Sequence, residues 1–274
     1  MYAVVDKKIS VVMPAYNEAA NIASNLLETV ETLTDYAPDF EVIVVDDGSP
    51  DGTYLEAAKL LSSQAGRVRI VHYNQNQGKG NALMCGAWFA RGEIVVFMDA
   101  DMDLHPAQLP VFFEIMEASG ADIVIGSKRH PLSKVNYPRN RRIYSAIYYA
   151  IIRLMFGLPV KDTQTGLKAF KREVLQRVFP RILAKRFAFD IEVLANAHRL
   201  GYKMVDAPVT LEFQRRFGRI KWRDIVAIMT DTAAIFYRMY ILRYYDRFHE
   251  ERLSEGPLSC DAREVLEYDV AARH

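Results

Sequence analysis

The chain is poor in cysteine, with only Cys85 and Cys260 in 274 residues and no CxxC spacing. Two thiols cannot build a disulfide framework or a zinc site, so a reducing compartment is expected. Net charge is nearly absent as well. Thirty-five Lys plus Arg stand against thirty-four Asp plus Glu, a formal charge of +1. That balance argues against a generally cationic nucleic-acid binder and makes any basic site local. Long hydrophobic runs are missing. Residues 143–158 and 225–245 come nearest to a membrane span, but Arg153 interrupts the first and Asp231, Arg238 and Arg243 the second. A span needs about 20 mostly apolar residues. Residues 1–10 carry charges where a signal peptide has its apolar core, so a cytoplasmic location is expected. GxGxxG, Walker A and serine-elbow motifs are all lacking, which removes the usual support for nicotinamide oxidoreductases, P-loop ATPases and serine hydrolases.

What is present is an ordinary globular composition, 50% apolar and 25% charged. Between residues 8 and 127, apolar runs at 9–13, 42–45, 68–71, 94–98 and 123–125 alternate with helix-like segments at 18–36, 51–64, 79–90 and 106–119. Strict alternation predicts an α/β fold with a doubly wound, mostly parallel, Rossmann-like sheet. Ligands of such sheets bind beyond the carboxyl ends of the strands. The polar residues gather there: Pro14-Ala15-Tyr16-Asn17-Glu18, Asp46-Asp47-Gly48-Ser49, Asp99-Ala100-Asp101-Met102-Asp103 and Ser127-Lys128-Arg129. Beyond Arg129 the pattern loosens, with helices at 144–156 and 189–200, a strand near 203–209 and a last long helix. One domain over 1–221, an amphipathic surface helix over 222–245 and a peripheral tail over 246–274 are expected.

Asp99, Asp101 and Asp103 follow a buried strand at i, i+2 and i+4, and alternate residues share a face while the chain stays extended. Clustered carboxylates repel unless a cation lies between them, and hard oxygen donors suit Mg²⁺ or Mn²⁺ shared with substrate phosphates. The plain alternative is an acidic loop that ends a strand. Asp46 is placed to accept hydrogen bonds from a ribose or base, with turn and cap roles as the alternative for this segment. Lys79, in Gly78-Lys79-Gly80-Asn81 at a helix start, is suited to phosphate; a solvated lysine is the alternative. Two clusters are uniformly basic: Lys128, Arg129, Lys134, Arg139, Arg141 and Arg142, then Arg215, Arg216, Arg219, Lys221 and Arg223. Each adjoins an aromatic helix, which points to an anionic lipid surface or a lipid phosphate rather than nucleic acid. Arg238 and Arg243 are expected to face headgroups, although an aromatic stripe at helical spacing also suits a core. His105, beside the carboxylates, is read as local structure.

Taken together and in this order, these motifs resemble the family 2 glycosyltransferases of GT-A fold. Asp162-Thr163-Gln164-Thr165-Gly166-Leu167-Lys168, and Pro208-Val209 followed by Arg215, Gly218 and Lys221, resemble the dolichol-phosphate mannosyltransferase branch. The resemblance spans residues 8–240. It implies a GDP- or UDP-hexose donor, with Pro14, Ala15, Tyr16, Glu18 and Asp46 around the nucleoside, Lys79 near the nucleotide, and Asp99, Asp101 and Asp103 at the metal and diphosphate. Asp103 stands where that branch often has glutamine. The implied acceptor is a polyprenyl phosphate, taking mannose or glucose at the cytoplasmic membrane face. A phosphate monoester is largely ionised near pH 7, so a strong general base is not required. Arg129, Arg215 and Lys221 are then the candidates to hold the phosphate, and Asp162, ahead of Asp190 and Glu192, the candidate base or positioning group. The QxxRW signature of processive synthases is missing. A different envelope-glycan acceptor, a sugar nucleotidyltransferase and a non-catalytic membrane-surface module are the competing readings.

Overall fold

The computed structural model describes residues 6–64, 66–135, 139–184, 188–211, 222–247 and 264–267. The strands are β1 (Ile9–Ala15), β2 (Phe40–Asp46), β3 (Val68–His72), β4 (Ile94–Phe97), β5 (Ile123–Ser127), β6 (Lys134–Val135), β7 (Lys168–Lys171), β8 (Met204–Pro208), β9 (Thr210–Leu211) and β10 (Glu264–Glu267). The α-helices are α1 (Ile22–Thr34), α2 (Thr53–Ala58), α3 (Lys79–Phe89), α4 (Leu109–Ser119), α5 (Arg139–Phe156), α6 (Arg172–Val178), α7 (Phe189–Arg199) and α8 (Trp222–Phe236).

Eight strands form one sheet in the order β10-β3-β2-β1-β4-β7-β5-β8, and β6 pairs with β9 in a separate ribbon. All five strands expected from the apolar runs are present, and β1, β2, β3 and β4 are mutually parallel. Covering both faces leaves no solvent side, which is why these strands read as continuous apolar runs instead of alternating. On one face Val12, Ile43, Val45 and Phe97 meet Leu83 of α3, Phe156 of α5 and Phe189 of α7. On the other, Val11, Met13, Val42 and Val96 meet Leu26 of α1 and Phe112 of α4.

Two strands run against the rest. β7 lies antiparallel between β4 and β5, and β10, from the chain's tail, lies antiparallel on the β3 edge. β7 is Lys-Ala-Phe-Lys, four residues with a lysine at each end, which has the composition of a loop. It is a strand because neighbours on both sides satisfy its backbone and because Lys168 has buried partners.

Cys85 is buried on α3, and Cys260 lies outside the described residues. No helix among the described residues is long and apolar enough to cross a membrane. The last helix packs on the domain through Thr232, Ile235 and, in the π-helical turn Tyr237–Ile241, Met239. Arg238 does not face headgroups. It reaches inward to the fully buried Glu192 of α7 at 3.2 Å, where the Tyr245 hydroxyl also donates. What stays exposed is Tyr237, Tyr240, Ile241 and Leu242, with Ile147 and Leu154 on α5. Arg243 is also exposed.

Candidate active site

A cleft of about 590 Å³ opens beyond the carboxyl ends of the central strands, where the doubly wound sheet places ligands. Its first wall is the turn after β1, with Pro14, Ala15, Tyr16 and Glu18. That turn is tied to the turn after β2: Ser49 Oγ accepts from the Asn17 amide at 3.0 Å and Thr53 Oγ1 from the Glu18 amide at 2.9 Å.

Asp46, expected at the nucleoside, has no exposed surface. Its carboxylate is taken up by His72 Nδ1 at 2.9 Å and the Ser49 amide at 3.2 Å. The next residue, Asp47, lines the cleft instead. It accepts from the amides of Gln77 at 2.8 Å and Gly78 at 2.9 Å, which fixes the chain entering α3. Burial raises its carboxyl above the usual range, outweighing the hydrogen bonds that act to lower it.

α3 begins at the cleft, with Lys79 and Gly80 on the wall. The first amides of a helix lack intrahelical partners, so they present hydrogen-bond donors and a positive dipole end to an anion. Lys79 forms an ion pair with Asp99. Burial pushes Asp99 upward, but the charge and hydrogen bond of Lys79 and the charges of Lys168 and Lys128 bring it below the usual carboxylate range. Asp101, also on the wall, is pushed up to about 6 by burial and then by the charges of Asp99 and Asp103.

Asp103 does not join them on the cleft wall. β4 ends at Phe97, and Met102 takes a left-handed φ of 61°, so the chain turns before the i, i+2, i+4 alternation can complete. The Asp103 amide bonds back to Asp101 Oδ1 at 3.2 Å. Among the described residues no three His, Cys, Asp or Glu side chains gather as a metal-binding group. Two carboxylates on one cleft wall, Asp101 raised in part by the charge of Asp99, do fit a divalent cation that takes its remaining ligands from substrate phosphates and water. Asp99 and Asp101 would hold it.

The far wall carries Gln164, Phe189 and Asp190. Asp190 was a secondary candidate from the sequence. Asp162, ranked ahead of it, is turned into its own loop, accepting from the amides of Lys128 and Gln164, both at 3.2 Å, and pairing with Lys128 Nζ at 3.5 Å. Arg129 packs against α5, its guanidinium bonded to Ser145 Oγ at 2.8 Å and 5.0 Å from the centre of the Tyr149 ring. Neither lines the cleft, and Glu192 is committed to Arg238 and Tyr245. Arg215 and Lys221 lie outside the described residues. His105 caps the short turn before α4, accepting from the Ala107 amide at 3.1 Å, a local role. Asp47, Asn76, Gln164 and Phe189 were not singled out from the sequence. Only Asp47 had a signal, its place beside Asp46.

Comparison with known proteins adds the lineage. Residues 10–179 match the model of glycosyl transferase family 2. The chain is 34% identical over 207 residues to glycosyltransferase AglD of Haloferax volcanii, covering 75% of this chain but 33% of that protein, so it spans about a third of that relative's length. It is 33% identical over 219 residues to undecaprenyl-phosphate mannosyltransferase of Micrococcus luteus, covering 78% of this chain and 87% of that one. Among solved structures, glucosyl-3-phosphoglycerate synthase from Mycobacterium tuberculosis in complex with Mn²⁺, UDP and glucosyl-3-phosphoglycerate matches with a TM-score of 0.62 at 26% identity, over 85% of this chain and 79% of that one. The turn after β1, the helix-end lysine and the paired aspartates share one cleft at the carboxyl edge of the sheet, and the chain belongs to glycosyl transferase family 2.

Proposed function

We propose that this chain transfers a hexose, with inversion, from a nucleoside-diphosphate sugar to a polyprenyl phosphate, using Mg²⁺ or Mn²⁺ at Asp99 and Asp101. The observation that carries this reading is the convergence of Asp99, Asp101, Lys79 and the start of α3 in one cleft. The nucleoside lies along Pro14, Ala15, Tyr16 and Glu18, with Asp47 in the role expected of Asp46. Lys79 and the α3 amides hold the diphosphate. A bound divalent cation supplies neutralisation of charge on the leaving group. An oxygen of the acceptor phosphate attacks the anomeric carbon, and the bond from that carbon to the diphosphate oxygen breaks with its electron pair going to the diphosphate. Asp190 faces the reacting end and accepts hydrogen bonds from the hexose hydroxyls. It takes the proton when the acceptor arrives as a monoanion. Arg215 and Lys221 are assigned to the acceptor phosphate, and Arg129, which follows β5 and packs on Ser145 and Tyr149 of α5, is assigned to the same end of the site.

Support for a lipid acceptor comes from the M. luteus relative, whose name specifies undecaprenyl phosphate, and from the exposed apolar end of the molecule. α5 connects that end to the cleft: the Tyr148 hydroxyl meets Gln164 Nε2 at 3.2 Å, and the Phe156 ring lies 6.4 Å from that of Tyr240. In this reading the site works at the cytoplasmic face of a membrane, held there peripherally. Testing it requires a panel of GDP- and UDP-hexoses offered with a short polyprenyl phosphate, 3-phosphoglycerate or water. The expected product is a lipid-linked hexose; sugar appearing only on 3-phosphoglycerate would overturn the acceptor. No turnover with any donor, but formation of a sugar nucleotide and pyrophosphate from a nucleoside triphosphate and a hexose 1-phosphate, would favour the nucleotidyltransferase, and no turnover in either assay would favour the binding module.

The membrane reading makes its own prediction. Exposed Tyr237, Tyr240, Ile241 and Leu242 supply interfacial apolar area. The basic clusters supply attraction of about 1 kcal/mol per residue near an anionic surface. Cosedimentation with anionic vesicles should be reversible, weaken with salt, and fall when Tyr237 and Tyr240 are both replaced by alanine, with little change in melting temperature. No binding at low salt would remove the peripheral-membrane reading.

A further inference from the structure

Lys168 is a buried lysine that the reaction above does not use. Its side chain is 3% exposed. It opens β7, paired across the ladder with Phe97 of β4 and Ile125 of β5, and so sits in the middle of the sheet just under the cleft. Nζ donates to the Thr165 carbonyl at 2.6 Å and to Asp190 Oδ1 at 2.7 Å. Its charge also acts on Asp99, two residues beyond Phe97. One buried cation therefore serves a carboxylate on each side of the cleft. The start of α7 is fixed from the other direction too. A Cβ on Gly80 would come within 2.6 Å of Phe189 Cβ, so the glycine at the start of α3 is what lets Phe189, and with it Asp190, close on that helix.

A buried ion pair is a poor device for stability alone, because desolvation of two charges offsets most of their attraction and an apolar residue often serves as well. Placing a lysine under the sheet makes physical sense if the carboxylate it holds has to keep one orientation. From this geometry we infer that Lys168 is a positioning residue for the transfer reaction, acting through Asp190 by aiming its carboxylate at the reacting end of the hexose. The inference rests on the hexosyltransfer reading and names a residue that reading leaves idle.

A double-mutant cycle tests it. Asp190→Asn should lower kcat by about 100-fold, the range of a lost acid, base or substrate-orienting group. Lys168→Met should lower kcat by about tenfold or more through misplacement of that carboxylate. The affinity for the nucleoside diphosphate, measured by direct titration, should change less than about threefold, since Lys168 bonds Asp190 and not the Pro14–Glu18 and Lys79 side of the cleft. In the double variant Lys168→Met should cost almost nothing beyond Asp190→Asn. Additive losses in kcat, or an equal loss of nucleotide affinity in Lys168→Met, would assign Lys168 to general support of the 162–166 loop and overturn the inference. If the wild-type chain transfers nothing to polyprenyl phosphate, the acceptor reading fails by itself. The same cycle is then read on slow donor hydrolysis, where water replaces the acceptor and the same non-additivity is expected.

Discussion

Replacing Asp101 with asparagine should abolish hexose transfer, by about 1,000-fold or more, the several kcal/mol that metal-assisted charge neutralisation contributes to such a step. The folded chain should not suffer. Asp101 lies in a wall open to solvent, so no core cavity is made. Its carboxyl, pushed up to about 6 by burial and by the charges of Asp99 and Asp103, holds its proton more tightly folded than at the ordinary value of 3.8. The stability this proton contributes is complete below the ordinary value and lost as pH rises through about 6. Above that, the ionised Asp101 is a cost that asparagine does not carry. The metal-free variant should therefore melt no lower than wild type at pH 5 and higher at pH 7.5. Added Mn²⁺ should raise the melting temperature of the wild type and leave the variant unmoved. A variant with full activity, or one that unfolds, would contradict this account of the residue.

The second large effect is expected at a residue with no side chain. Gly166, in the turn before β7, packs directly on the Asp99 carboxylate. A Cβ there would collide with Oδ2 and lie 2.6 Å from Cγ. Asp99 is short and held by Lys79, so it cannot move aside without leaving its place on the cleft wall. Gly166→Ala should lower kcat/KM by about 100-fold, the scale of a 1 Å misplacement in a catalytic group, and should weaken Mn²⁺ and nucleotide binding together. Gly166 is not among the glycines with a left-handed φ, so alanine meets no backbone strain and the loss is chemical rather than conformational. A parallel Gly52→Ala, whose Cβ would meet nothing although its φ is 86°, gives the comparison: a modest loss of melting temperature with transfer retained. Unchanged kinetics in Gly166→Ala would show that Asp99 is not held where the structure places it.

The parallel half of the fold was legible because each strand is apolar along its whole length and each ends in polar residues at the same edge. The antiparallel insertion was not. Periodicity has nothing to read in four residues, and the burial of Lys168 depends on Asp190, 22 residues further along. At the site, a carboxylate at a strand end could be found but its direction could not. Asp46 and Asp47 differ by one position, and a strand's alternation sends them to opposite sides, one under the sheet edge against His72 and one into the cleft. The same limit applies to Asp162. An Asp two residues before an amide bonds that amide readily, and the Asp162–Gln164 contact of 3.2 Å is such a local bond. Arg238 misled for another reason. A charge on an aromatic helix suggests headgroups when no partner is visible, and its partner Glu192 lies on α7, far away in the chain.

The measurement closest to the central claim is release of nucleoside diphosphate from GDP-mannose and UDP-glucose by the purified chain, with and without a short polyprenyl phosphate and with and without excess chelator. The account predicts release with one of the two donors that requires both the lipid phosphate and the metal, stoichiometric with a lipid-linked hexose of inverted anomeric configuration. Full release in chelator, or release that ignores the lipid phosphate while no lipid-linked sugar forms, would contradict it.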